Sequence, residues 1–160
     1  MKRLLSWMLP ALLLAVLSAC APPRKSMFPP TISVQQLTVQ PDGRWHMQMR
    51  ILNNSYGPME FRAIHLTMTI DNEPATSIDA DFTLGIPALS ADVTDVTIQP
   101  SAEAAKALGT IADKGSAGGL AYTLEGIANA IPDKSDKVRE YKVQSHDWLS
   151  AVPGVENTYR

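Results

Sequence analysis

The chain has 160 residues, with 14 Lys and Arg against 16 Asp and Glu and a formal net charge of −2. This length suits one domain, and the acidic balance argues against nucleic acid or an anionic membrane surface as an electrostatic partner. The single cysteine, Cys20, excludes a disulfide within the chain, so the fold must rest on its core.

Residues 1–19 have the three-part build of a secretory signal. Lys2 and Arg3 give a positive start, 4–16 an apolar middle, and Ser18 and Ala19 small residues before a cut. A membrane-spanning helix needs about 20 apolar residues. This run is shorter, carries Pro10 and lacks a charged stop-transfer flank. Leu17, Ser18, Ala19 and Cys20 resemble the lipobox of bacterial lipoproteins: a medium apolar residue, two small residues, then the cysteine. The resemblance implies a diacylglyceryl group on the Cys20 sulfur, cleavage before Cys20 and acylation of its freed amine. One acyl chain at ~0.8 kcal/mol per buried CH₂ holds only marginally, whereas two or three hold for practical purposes permanently. The mature chain would then be the 141 residues from Cys20 to Arg160. Without Lys2 and Arg3 it has 12 basic residues against 16 acidic, a formal charge near −4. Ala21, where an Asp would retain enteric-type lipoproteins at the inner membrane, implies the periplasmic face of the outer membrane.

Residues 20–30 join the lipidated cysteine to a proline-rich stretch with four prolines, which reads as an extended tether. From 31 the hydrophobic pattern has period two. Ile32 and Val34, then Leu37 and Val39, form one strand whose parity changes at Gln35-Gln36, the mark of a bulge or a bending edge. Pro41-Asp42-Gly43 is a turn. In the next run Trp45, Met47, Met49 and Ile51 face one way and Arg44, His46, Gln48 and Arg50 the other. A break at 53–58 follows. Phe61 and Ala63, then Ile64, Leu66, Met68 and Ile70, predict a long strand with a second parity slip, ending in a turn at Asp71-Asn72-Glu73. Residues 74–82 read as an edge strand because Pro74 cannot donate to a ladder. After Gly85-Ile86-Pro87-Ala88-Leu89, residues 93–98 return to strand.

Ser101 is a suitable N-cap for a short helix over 102–113, with Ala104, Leu108, Ile111 and Ala112 on one face and Gly115 as its stop. Leu120, Tyr122 and Leu124 alternate up to Gly126, which marks a bend or bulge. A polar turn at 134–137 precedes a last strand over 138–148. Residues 150–160 contain Pro153-Gly154 and no periodicity, and predict a loose tail. The whole predicts a mainly β chain: an immunoglobulin or fibronectin III-like antiparallel β-sandwich of about seven strands over 31–149, with one short α-helix. No Cys…Trp…Cys spacing exists for an antibody-type domain.

Residues 30–143 resemble the late-embryogenesis-abundant group 2 family, also called the WHy domain. The likeness rests on the Pro30-Thr31-Ile32-Ser33-Val34 opening, on the strand running into Asn53-Asn54-Ser55, and on Gly85-Ile86-Pro87-Ala88. Tyr122-Thr123-Leu124-Glu125-Gly126 closes it. One departure is that the family carries Asn-Pro-Asn where this chain has Asn53-Asn54-Ser55, with proline delayed to Pro58. The resemblance implies a seven-stranded sandwich with a helix. It also implies a non-enzymatic role associated with desiccation and envelope stress.

For metals, the best pair is His46 and His65, which a simple hairpin would place almost opposite each other. The family topology instead sends the second of these strands to the other sheet and separates them, leaving solvated surface histidines. Met47 and Met49 next to His46 suit Cu(I) in chemistry, yet they share a face with Trp45 and Ile51, as core residues do. Asp79 and Asp81 fit an exposed edge better than an acid/base pair. There is no Gly-x-Ser-x-Gly elbow, and Gly115-Ser116-Ala117-Gly118-Gly119 lacks the lysine of a phosphate loop. No enzymatic activity, cofactor or nucleic-acid partner is expected. The expected role is a membrane-anchored binding or stress-protective lipoprotein. Two alternatives are an accessory lipoprotein docking on an envelope or secretion machine by edge-strand pairing through 74–82 or 31–39, and a carrier of an apolar ligand between the sheets.

Overall fold

Alternation of apolar and polar residues produces eight strands and one helix in the computed structural model of the chain, which describes residues 26–71, 73–114 and 119–160. Residues 1–25, with the expected signal segment and the lipobox-like Leu17, Ser18, Ala19 and Cys20, lie outside the described residues, as do Asn72 and 115–118. In order the elements are β1 (Thr31–Val39), β2 (Trp45–Leu52), β3 (Met59–Ile70), β4 (Glu73–Ile86), β5 (Ala91–Ile98), α1 (Ala102–Lys114), β6 (Gly119–Pro132), β7 (Arg139–Ser150) and β8 (Thr158–Tyr159). They form two antiparallel sheets, β5-β2-β1-β8 and β4-β3-β6-β7, packed as a sandwich.

β2 shows why these residues make strands. Trp45, Met47, Met49 and Ile51 are all buried and face the second sheet, while His46, Gln48 and Arg50 point outward. Met47 and Met49 are 0% exposed, so both thioethers are core filling. Both parity slips are real irregularities. β1 shifts register between Val34 and Gln36, and β3 shifts between Phe61 and Ala63 against both neighbours. α1 starts at a Ser101 cap whose Oγ accepts from the Ala104 N–H at 3.0 Å. It buries Ala104, Leu108 and Ile111 against β3, β4 and β6.

Two side chains tie the sheets together across the core. Tyr122 on β6 accepts from the Val34 N–H at the β1 bulge (2.9 Å), and Ser145 Oγ on β7 donates to the Ile32 carbonyl (2.6 Å). Burial pushes the Tyr122 phenol up to about 12, with the Asp147 charge adding to it and the Val34 bond opposing. Tyr122→Phe keeps the ring but strips the Val34 N–H of its partner in a buried place, so it should cost about 1–3 kcal/mol in urea unfolding. A raised phenol pKa is a stability that is full below the unfolded value near 10 and is lost as pH rises toward the folded value. Wild type should therefore lose stability between about pH 10 and 12, more steeply than Tyr122→Phe.

Four expectations need correction. β4 is an edge strand, as its proline suggests, but it runs on through Gly85 and Ile86, which pair with Glu60 and Met59. β6 passes straight through Gly126 without a register shift and continues to Pro132. β1 is no open edge: β8 pairs with it at Leu37 and Thr38, while Tyr122 and Ser145 occupy the Val34 N–H and the Ile32 carbonyl. Residues 150–160 are no loose tail. They fold back, Ser150 and Arg160 exchange two backbone hydrogen bonds of 2.8 and 2.9 Å, and Thr158 and Tyr159 are buried beside β1. That returning segment supplies the eighth strand.

Candidate functional site

Sheet register places four chain segments at one end of the sandwich. Thr31, Leu52 and Ala91 end one sheet there; Met59, Ile86 and Pro132 end the other. The entering segment 26–30 and the loops 53–58, 87–90 and 133–138 therefore converge. Asn53 organises them. It is 0% exposed, and its amide Nδ2 donates toward the carbonyls of Gly57 (3.0 Å), Ile86 (3.2 Å) and Pro87 (3.0 Å). Its Oδ1 accepts from the Ser55 N–H at 2.9 Å, closing an Asx-type turn. A buried loop needs such a hub, because its backbone groups have no ladder to join. Further bonds run from the Asn53 N–H to Ser90, from the Leu89 N–H to Ser55 and from the Asp133 N–H to Pro58.

The entering segment is clamped to this hub. Ser55 Oγ, also buried, accepts from the Phe28 N–H (2.8 Å) and lies 3.2 Å from the Phe28 carbonyl. The Tyr56 N–H donates to the Ser26 carbonyl (3.1 Å), and Asn54 Nδ2 reaches the Pro29 carbonyl (2.9 Å) and Thr31 Oγ1 (3.0 Å). The Phe28 and Tyr56 rings meet edge to face, centroids 6.1 Å apart. The proline-rich stretch, expected as a free tether through 30, is thus docked from Ser26 onward. Beside the clamp opens a cleft of about 410 Å³, lined mainly by Pro58, Met59, Ile86, Pro87, Ile131 and Pro132.

The other residues singled out by pattern do not converge. His46 lies on β2 and His65 on β3, in different sheets and on their outer faces, so the two imidazoles do not face each other. His46 faces Thr97 and Asp95 (Nε2 to Oδ1 3.3 Å), and His65 Nδ1 lies 2.9 Å from Asp79 Oδ1. These are exposed pairs of small energetic weight. Among the described residues no group of three His, Cys, Asp or Glu is arranged to hold a metal. Asp79 and Asp81 are both exposed on β4. No helix among the described residues is long and apolar enough to cross a membrane.

Pattern reading missed both the Asn53 hub and the clamp. The one signal available was the asparagine that opens Asn53-Asn54-Ser55 directly after a strand, a residue type whose side-chain amide can satisfy turn carbonyls.

No family model matches the chain, and no curated protein does. Among solved structures it is similar to a crystal structure of a protein from Archaeoglobus fulgidus, at 10% identity and TM-score 0.41, over 75% of this chain and 98% of that one. It is also similar to an X-ray structure of a structural-genomics target, SoR45, at 9% identity and TM-score 0.43, over 78% and 89%. A solution structure of a protein from Arabidopsis thaliana is similar at 9% identity and TM-score 0.47, over 84% and 85%.

Proposed function

We propose that the chain is a non-catalytic envelope lipoprotein, held by acyl chains on Cys20 at the periplasmic face of the outer membrane, whose sandwich acts as a binding or stress-protective module. The lipobox resemblance supports the anchor, and the late-embryogenesis-abundant group 2 resemblance supports the protective role. The observation that carries most weight is the clamp at 26–30. It leaves five residues, 21–25, between Cys20 and the folded domain, so a lipid on Cys20 holds the module close to the bilayer. Deleting the protein should lower survival of drying or osmotic shock, with rescue by wild type and not by Cys20→Ala. A deletion strain indistinguishable from its parent would contradict the protective role.

A second reading, docking on an envelope machine, draws support from β4. It closes one side of its sheet over 14 residues, pairing only with β3. Its first residues are partly covered, since Thr76 Oγ1 donates to the Gln99 carbonyl (3.2 Å) and Ser101 Oγ reaches the Pro74 carbonyl (3.4 Å). The stretch beyond Ile78 is the part suited to β-augmentation. Crosslinking in cells that returns one stoichiometric partner through this stretch would favour docking over a free module. Carriage of an apolar ligand draws less support, because Trp45, Met49, Phe61, Ile64 and Met68 fill the space between the sheets.

A further inference from the structure

We infer that the loop end of the sandwich is a bilayer-contacting face, with Phe28, Tyr56, Leu89 and Val138 seated in the interfacial layer of the membrane that holds Cys20. The inference rests on the proposed Cys20 anchor and adds to it an orientation and a second point of attachment.

Six large apolar side chains are exposed among the described residues: Phe28, Tyr56, Leu89, Val138, Trp148 and Val155. Single exposed apolar residues are ordinary, but a cluster at one place marks an interaction surface. Four of the six belong to the four segments that converge at this end, at 44%, 58%, 59% and 54% exposure in the order named above. Tyr56 and Phe28 are in ring contact, and Leu89 is hydrogen-bonded to the residue before Tyr56. Leu89 also holds a positive φ of 53°, a conformation that favours Gly or Asn. An exposed leucine there is poor chemistry for a loop tip in water and suitable chemistry for one in lipid. The apolar cleft beside Pro58 and Pro132 opens at the same end.

Chain length decides the occupant. From Cys20 to Ser26 there are six residue steps, which span at most about 22 Å when fully extended. β4 and β6 each have 14 residues, so the sandwich is roughly 45 Å long. A lipid on Cys20 therefore keeps this end near the headgroups, and the helix-bearing end lies out of reach unless the domain lies flat. Phenylalanine and tyrosine suit the membrane–water interface, where a ring is part buried and a hydroxyl stays wet. Arg24 and Lys25 in the tether place two positive charges beside the bilayer, but the four loop segments add no net charge. Lys134 and Lys137 in the loop 133–138 are matched by Asp133 and Asp136, in keeping with a chain of acidic balance. The contact is apolar, and it should persist on zwitterionic lipid.

The test uses the mature acylated protein reconstituted into vesicles of phosphatidylethanolamine and phosphatidylglycerol, with and without bromine-labelled acyl chains. Its own tryptophans are Trp45, which is buried, and Trp148, which pairs opposite Ala121 toward the far end. Tyr56→Trp combined with Trp148→Phe places the exposed reporter at the loop end. Its emission should fall roughly twofold with brominated lipid, while wild type changes little, because the interface holds only the former ring. Equal quenching of both proteins, or of neither, on vesicles that carry the protein would overturn the orientation and leave the anchor standing. Failure of the acylated protein to float with vesicles would overturn both. Phe28→Ser with Leu89→Ser, both at exposed sites, should leave flotation intact and weaken quenching of the same reporter; undiminished quenching would count against these residues as the contact.

Discussion

Gly126→Ala should destabilise the domain by more than about 4 kcal/mol, or prevent folding outright, which places it among the severest single substitutions available. A Cβ at position 126 would lie 2.1 Å from the His65 carbonyl oxygen and 3.0 Å from the Leu66 Cα. Neither atom belongs to a side chain that could swing away. Leu66 is the register partner of Gly126, and β3 and β6 are the two inner strands of their sheet, each held on both sides. The backbone of Gly126 also has φ +154°, which an L side chain rarely adopts. Relief would require separating the central strands and breaking the ladder that carries Leu66, Met68, Tyr122 and Leu124 into the core. Urea unfolding followed by circular dichroism reads the effect. A variant whose midpoint matches wild type would mean that the two strands can part at this point without cost.

The second large effect is expected at Asn53→Ala. Alanine leaves the carbonyls of Gly57, Ile86 and Pro87 and the N–H of Ser55 without the partner they now share. A buried polar group left unsatisfied costs about 1–3 kcal/mol. Water entering a loosened loop can recover some of these four, so a net loss of about 3–4 kcal/mol is expected. Asn53→Asp should fare no better, because a carboxylate would face three carbonyl oxygens at the distances the amide now bridges. Since the hub also carries Ser55, and Ser55 holds Phe28, amide exchange at Phe28 and Tyr56 should speed up even under conditions where the rest of the domain stays folded. Unchanged exchange at both amides would show that the clamp stands without the hub.

The parts of the fold legible in the sequence are those where one physical rule acts alone. β2 is flanked on both edges and buried on one face, so its alternation survives intact and Trp45 to Ile51 can be read directly. The parity slips at Gln35 and Arg62 are legible for the same reason: a bulge moves one residue across the sheet and nothing else. β8 is two residues long and owes its place to hydrogen bonds with Ser150 and β1, which leave no periodic trace. Gly126 reads as a break because a glycine that bends a strand and one that admits a neighbouring backbone look alike in sequence. Asn53 looks like any turn asparagine, since its amide serves residues up to 34 positions away. Phe28 sits between prolines and methionine in a stretch whose composition signals only an extended chain. Its place on Ser55 depends on a loop that Asn53 holds together. The candidate site was therefore the least legible part, because the contacts that assemble its four segments join residues 23 to 34 positions apart.

The lipid anchor proposed for this sandwich can be read from the mass of the protein purified from membranes. The expected result is a chain that begins at Cys20, heavier than the 141-residue polypeptide by a diacylglyceryl group and one further acyl chain, with the modification confined to the N-terminal peptide. A chain that retains residues 1–19, or one that carries an unmodified Cys20 thiol, would contradict it.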